Sequence, residues 1–238
     1  MMKVLALSSS RVGNSNFLEK AIEPIKDFIG NLSLNIAFVP FASVQKDYEE
    51  YGAMVKNALA SLPYSIQTAT PASAKKVIDD ADVIMLGGGN TFKLLHDIYE
   101  YDLFELIKNR VTRGTPYIGW SAGANLSGKS ISTTNDMPII QPRSFTSFGF
   151  FPFQINPHYV SQTLEGHNGE TRDQRLEEFV VLNANIPVIG LPEGTALRLQ
   201  NKTLQFIGEK EGVLFQYEDK AAQKKLIKKN EELSSLLL

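Results

Sequence analysis

TPYIGWSAGANLSG, residues 115–128, decides how the rest of this chain is read. Its centre, Gly119-Trp120-Ser121-Ala122-Gly123, fits the G-x-S-x-G pattern. Pro116 to Gly119 reads as a short buried strand, and Ala122 to Leu126 can open a helix. A serine on so tight a strand-to-helix turn is pushed out of the sheet. Its neighbours must be small because backbone and helix crowd it, and such turns store backbone strain. The turn also leaves the hydroxyl near free N–H groups at a helix start, where negative charge is favoured. That environment suits an acyl-transfer nucleophile. The same residues would also serve as a Gly/Ala-rich turn packing a helix on a sheet, so the flanking chain has to decide.

Upstream, Val83 to Leu86 reads as a strand ending in Gly87-Gly88-Gly89-Asn90, and helical material from Thr91 to Val111 leads back to the elbow. Before that, strands at Lys3–Ser8, Leu34–Val39 and Tyr64–Thr68 alternate with helical stretches at Phe17–Ile29, Tyr48–Leu62 and Ala72–Asp79. A polar loop, Ser9 to Asn16, follows the first strand. This alternation predicts an α/β fold, a mostly parallel open sheet with helices on both faces. Downstream the pattern is less regular. Ile131 to Phe153 has little period and reads as a long excursion over the sheet's edge, a length that is often functional. Short strands are expected at Phe153–Ile155 and Val188–Leu191, with a helix over Thr171–Asn183 whose Thr171 and Gln174 are spaced as a capping box. Ala196–Leu199, Thr203–Ile207 and Val213–Tyr217 read as C-terminal antiparallel hairpins, and the Lys-rich Ala221–Leu238 as a surface helix. No repeat or linker interrupts residues 1–238, which predicts one domain.

The 238 residues are 43% hydrophobic and 21% charged, the balance of a globular protein with a sizeable core. A net charge of −2 and a pI near 6.0 give no general electrostatic reason to bind nucleic acid or an anionic membrane. No apolar run approaches the ~20 residues that span a bilayer. The N-terminus, MMKVLALSSS, lacks the long apolar region of a signal peptide, so a cytoplasmic protein is expected. With no cysteine, disulfides, thiolate metal sites and a Cys nucleophile are excluded. Only His96, His158 and His167 are available to any histidine-dependent mechanism.

Ligands of open parallel sheets sit outside the carboxyl ends of the strands. Ser121, the Gly87–Asn90 turn, Asn156-Pro157-His158 and Pro192-Glu193-Gly194 all fall at expected strand ends, and so converge on one edge. A serine nucleophile needs a base, and the base needs an acceptor that fixes its tautomer. His158 is the candidate base, although a His beside Pro could simply close a strand. His96 lies within a helical run and His167 in a polar loop, which makes both weaker. For the acid, Glu193 is held between Pro and Gly, and Asp136 in the long loop competes with it. The GGGN turn could cradle a phosphate, but no Lys-Ser/Thr follows and no full G-x-G-x-x-G is present. Beside a serine nucleophile, its N–H groups make better sense as one arm of an oxyanion hole (Gly89), with the Ala122 N–H as the other.

These residues resemble the peptidase E family, cytoplasmic aspartyl dipeptidases that are serine peptidases on a class I glutamine-amidotransferase-like (flavodoxin-like) α/β fold. The resemblance covers nearly the whole chain: MKVLALSSSRVGN at the start, MLGGGNTFKLL, YIGWSAGAN, TTNDMPI, INPHY, ETRDQRLEEF and GLPEGTALR. It implies Ser121 as nucleophile, His158 as base and Glu193 as acid, acting without metal or organic cofactor on dipeptides with an N-terminal aspartate. The chain order Ser–His–Glu differs from that of α/β-hydrolases, a reading that would need Asp136 as the acid and leave Glu193 without a role. Alternatives are a cyanophycinase-like hydrolase and a non-catalytic flavodoxin-like protein holding a phosphate or nucleotide with the Ser8–Asn16 loop and GGGN. The expected partner is a small dipeptide, and the protein is expected to be a monomer or homodimer.

A buried substrate carboxylate needs a cation or several N–H donors. Arginine suits this best because its planar fork meets a carboxylate with two hydrogen bonds. If Thr171 caps a helix, Arg172 occupies the first helical position, where the dipole disfavours a cation and an anion would relieve the conflict. Arg172 is therefore the expected specificity residue, unless it only pairs with Glu170 or Asp173 at the surface. Arg143 is the runner-up, and Asn90 is a further substrate-binding candidate.

Overall fold

The computed structural model describes residues 1–45, 47–161, 166 and 168–237. Five strands, β1 (Val4–Leu7), β2 (Leu34–Val39), β3 (Tyr64–Thr68), β4 (Val83–Leu86) and β5 (Tyr117–Trp120), pair in parallel in the order β3-β2-β4-β5-β1. The sheet continues beyond β1 with β8 (Ala196–Gln200) and β9 (Thr203–Ile207), an antiparallel hairpin. Burial explains why these segments are near-continuous apolar runs. Val4 and Ala6 face one core, Leu5 and Leu7 the other; Ala37 and Val39 alternate with Ile36 and Phe38 in the same way. The core holding Leu5 and Phe38 is closed by α1 (Ile22–Ile29) and α2 (Tyr48–Ala58). The opposite face is covered by α3 (Ala74–Asp79), α4 (Thr91–Glu100) and α5 (Phe104–Thr112).

The expected single helical run from Thr91 to Val111 is two helices. Asp102 adopts a left-handed conformation, φ 51°, and the Leu103 N–H turns back to the Ile98 carbonyl, which ends α4 before α5 begins. A larger departure concerns the second half. Strands β6 (Gln154–Pro157), β7 (Val188–Leu191), β10 (Gly212–Glu218) and β11 (Ala221–Ile227) form a separate four-stranded sheet in the order β11-β10-β7-β6. Only β6 and β7 are parallel there. The turn from Gly208 to Gly212 therefore joins two sheets and does not close a hairpin, because β10 pairs with β7 and β11, not with β9.

The Lys-rich C-terminal stretch is not a helix. Its first part is β11, paired along its whole length with β10, and a short 3₁₀ turn, Ser234–Leu237, follows; Leu238 lies outside the described residues. Lys224 and Lys225 keep this edge strand charged, a common way of blunting a sheet edge. Helix α7 (Arg172–Leu182) covers the outer face of the second sheet, where Leu176 and Val180 pack with Val188, Val213 and Phe215. The excursion from Ile131 to Phe153 is anchored, not merely draped. Phe148, Phe150, Phe151 and Phe153 are buried in the larger core, each burial stabilising by about 1.5–3 kcal/mol. No helix among the described residues is long and apolar enough to cross a membrane.

Candidate active site

Ser121 follows β5 directly and opens the short helix α6 (Ala122–Asn125). Its backbone stands at φ 53°, ψ −112°, a strained conformation for a residue with a side chain. The flanking glycines are required by close approach. A Cβ on Gly119 would lie 2.4 Å from the Gly123 carbonyl oxygen, and one on Gly123 would lie 2.3 Å from that of Leu86. The Ser121 N–H is tied to the Leu7 carbonyl, and the Asn125 amide donates to the Ile155 carbonyl at 2.7 Å, fastening α6 to the second sheet.

His158 and Glu193 come from that second sheet. They follow the adjacent parallel strands β6 and β7, whose register sets Pro157 beside Leu191. Their strand ends are joined to the first sheet by one buried hydroxyl. Ser8 Oγ accepts the His158 N–H at 3.0 Å and donates to the Leu191 carbonyl at 2.8 Å, while the Ser8 N–H reaches the Thr195 carbonyl. Thr195 in turn closes the Pro192–Glu193–Gly194 turn through its own hydroxyl. The strand ends do meet as the sequence suggests, but across two sheets and not along the edge of one.

The result is a connected line. His158 Nε2 lies 2.9 Å from Ser121 Oγ, and His158 Nδ1 lies 2.9 Å from Glu193 Oε1. An ionised carboxylate only accepts, so Nδ1 carries the proton and donates to Glu193; Nε2 is left to accept the Ser121 hydroxyl proton. Asp136 is engaged elsewhere. Its Oδ2 accepts the Thr91 N–H at 2.7 Å, the Thr91 hydroxyl at 2.5 Å and the Thr134 hydroxyl at 3.3 Å. His96 sits on α4 beside Asp97, in a cluster with Lys93, and His167 lies outside the described residues.

Two cavities flank Ser121. The smaller, about 180 Å³, is polar, and its walls include Asp136, Thr134, Asn135 and Arg172. Thr171 caps α7 with a complete capping box, which places Arg172 at the first helical position as its spacing suggests. The half-buried guanidinium donates from Nη1 to Asn156 Oδ1 at 3.1 Å. Burial, and then the neighbouring Arg175, lower its pKa. The surface pairing that sequence leaves open is not the one seen: Glu170 faces Arg175 at 3.7 Å and Asp173 holds Lys224 at 2.6 Å. Arg143 lines a different cavity with Tyr99, Asp102, Phe104 and Glu105.

The larger cavity, about 450 Å³, is mostly apolar, with Phe17, Tyr51, Met54 and Trp120 in its walls. Gly88 and Gly89 form its floor beside Ser121; a Cβ on Gly88 would lie 2.9 Å from that of Ser121. Asn90 also lines it, with a hydrogen bond at each end of its amide. Oδ1 caps α4 by accepting the Lys93 N–H, and Nδ2 donates to the Met137 carbonyl. The amide nitrogen has a second N–H beyond the one given to Met137.

The sequence model of peptidase family S51 matches residues 4–207. The chain belongs to peptidase family S51. Its relatives include Peptidase E from Shewanella oneidensis, 50% identical over 218 residues that cover 90% of this chain and 91% of the relative. Peptidase E from Haemophilus influenzae is 47% identical over 212 residues, covering 88% and 97%. Among solved structures, a putative peptidase E from Listeria monocytogenes EGD-e superimposes with a TM-score of 0.66 at 21% identity, over 88% of this chain and 100% of that one. A peptidase from an acI-B1 Actinobacterium gives 0.67 at 16% identity, over 98% and 96%. These two likenesses speak for the fold. Family S51 membership makes the chain a serine-type peptidase.

Sequence reasoning did not find Ser8, Asn156, Thr91 or Tyr51. Ser8 and Asn156 sat in stretches already quoted, at strand ends where a buried polar side chain needs a partner. Tyr51 carried no signal, since its hydroxyl meets the Gly88 carbonyl, 37 residues away.

Proposed function

We propose that this chain hydrolyses dipeptides with an N-terminal aspartate, with Ser121 as nucleophile, His158 as general base and Glu193 as the acid that orients it. The observation that carries the reading is the double contact of His158, 2.9 Å from each partner through opposite ring nitrogens. Ser121 Oγ attacks the scissile carbonyl carbon as its proton passes to His158 Nε2. The carbonyl oxygen takes the electron pair, and the Gly89 and Ala122 N–H groups stabilise it. His158 then gives the proton to the leaving nitrogen, the C–N bond breaks, and water hydrolyses the aspartyl ester by the same route in reverse.

In this reading each cavity takes one half of the substrate. An N-terminal aspartate carries an ammonium and a side-chain carboxylate close together. The polar cavity offers Asp136 for the first and Arg172 for the second, within the volume of about one residue. The apolar cavity takes the second residue, where Phe17, Met54 and Trp120 favour a large apolar side chain. The Asp136 carboxylate, held by Thr91 and Thr134 through Oδ2, can also take a free amino terminus, which favours an exopeptidase over a hydrolase of polymer interiors. One apolar core contains residues of both sheets, which supports a single domain over residues 1–238. The reading carries with it a cytoplasmic enzyme, monomer or homodimer, that uses neither metal nor organic cofactor. It is tested by comparing Asp-Leu, Leu-Leu and Glu-Leu as substrates: Asp-Leu is cleaved by far the fastest, and equal rates for the three would sink the assignment.

A further inference from the structure

The wall of the larger cavity holds a hydrogen-bond chain with no part in the proton transfers. Trp120 Nε1–H donates to the Tyr51 hydroxyl at 3.1 Å, and that hydroxyl donates to the Gly88 carbonyl at 3.0 Å. Its direction is fixed by chemistry, because an indole N–H only donates and a carbonyl oxygen only accepts. The Tyr51 ring is 7% exposed and meets Phe38 edge-on at 5.0 Å, so the phenol has little freedom to leave. Burial pushes its pKa up to about 12, which keeps the proton on the oxygen at any physiological pH.

The acceptor matters more than the chain. In a trans peptide the C=O and the next N–H point in opposite directions within one rigid plane. Fixing the Gly88 carbonyl on Tyr51 therefore also fixes the Gly89 N–H, turned away from the phenol. That plane needs fixing, because it lies between two glycines, the residues with the softest backbone. Neither can be replaced by something stiffer. A Cβ on Gly88 would meet Ser121, and one on Gly89, at φ 140°, would lie 2.3 Å from the Ala42 carbonyl oxygen.

We propose that Tyr51 is a positioning residue for the oxyanion hole: its hydroxyl holds the Gly88–Gly89 peptide so that the Gly89 N–H faces the oxygen that becomes negative when Ser121 attacks. This rests on the reading of Ser121 as nucleophile and Gly89 as oxyanion donor. The contribution appears only when the carbonyl carbon turns tetrahedral, so it acts on turnover and not on substrate binding.

The test is Tyr51→Phe, which removes one oxygen and keeps the ring against Phe38. Losing an oxyanion donor outright costs about 10²- to 10³-fold, so misorienting one is expected to lower kcat for Asp-Leu by about 10- to 100-fold with little change in KM. The second readout is the aldehyde analogue of aspartate, whose adduct with Ser121 carries the tetrahedral oxygen. Its affinity should fall by about the same factor as kcat, while that of free aspartate stays at the wild-type value. A purely structural role would lower the thermal midpoint without separating aldehyde from aspartate. Wild-type kcat in Tyr51→Phe, or equal losses of affinity for both ligands, overturns the proposal. If the native enzyme cleaves Asp-Leu and Ser121→Ala abolishes this while Tyr51→Phe is unimpaired, only the positioning role fails. If Ser121→Ala leaves hydrolysis intact, the reading beneath it fails as well.

Discussion

The two sheets bring their strand ends to one point by different means. The first does so along one contiguous stretch: β5, Ser121 and α6 follow one another, and the missing side chains of Gly119 and Gly123 let the turn close against itself and against Leu86 of β4. The second does so by register. His158 and Glu193 are 35 residues apart and meet because β6 and β7 run parallel with Pro157 beside Leu191. The half that carries Ser121 thus holds its geometry in a strained turn, and the half that carries His158 and Glu193 holds it mainly in pairing, with His158 also at φ 52°. Ser8 is the junction, since one hydroxyl bonds to the ends of both second-sheet strands from the end of β1. A nucleophile has to be presented in one conformation, whereas a base and its acid have to be held relative to each other.

The local half breaks most completely when its hydroxyl is removed. Ser121→Ala takes away the atom proposed to attack but little packing, because the side chain faces the cavities and not the core. Turnover of Asp-Leu should fall by about 10⁴-fold or more, as for other members of such triads, with an unchanged thermal midpoint. A variant that keeps a substantial fraction of native activity would move the chemistry away from the elbow.

The paired half is probed by changing the tautomer and not the position. Glu193→Gln retains the shape of the side chain, but its amide can donate to Nδ1 and leave the proton on Nε2, where it blocks acceptance from Ser121. A loss of about 10³- to 10⁴-fold in kcat is expected, with binding of the product aspartate retained. Asp136→Asn, whose carboxylate bonds Thr91 and Thr134 and not His158, should cost far less in kcat. The reverse ranking would make Asp136 the acid and Glu193 a turn residue.

The same contrast explains what the sequence discloses. Elements fixed by local pattern are legible: β2, β3 and β4 fall on the apolar runs Leu34–Val39, Tyr64–Thr68 and Val83–Leu86, and the capping box at Thr171 marks the start of α7. Features fixed by pairing are not. AAQKKLI becomes strand β11 because β10 offers seven partners, although two adjacent lysines and an alanine-rich start favour a helix. The division into two sheets is equally hidden, since Ile155 and Ile189 look like any buried strand residues. The candidate site lies between these cases. Ser121 announces itself through its glycines, His158, Glu193 and Ser8 only through their places at strand ends, and Tyr51 through nothing a single sequence contains.

Arg172 belongs to neither sheet and sharpens the comparison from the substrate's side. It stands at the first position of α7, where the helix dipole disfavours a cation, half-buried, with a neutral amide from Asn156 as its hydrogen-bond partner. Glu170 and Asp173 are occupied by Arg175 and Lys224, so their charge is directed away from it. A substrate carboxylate in the polar cavity would supply the missing charge and meet the free N–H groups of the helix start together with the guanidinium. Removing one partner of such a charge pair costs on the order of 2–5 kcal/mol. Arg172→Met should therefore lower kcat/KM for Asp-Leu by about 30- to 5,000-fold, the factor that range implies, while any residual cleavage of Leu-Leu hardly changes. The ratio of the two substrates is the measurement that matters, because a damaged fold lowers both. If Asp-Leu and Leu-Leu fall together, Arg172 is holding α7 against the second sheet, and the recognition of aspartate must lie with the donors around Thr134 and Asn135.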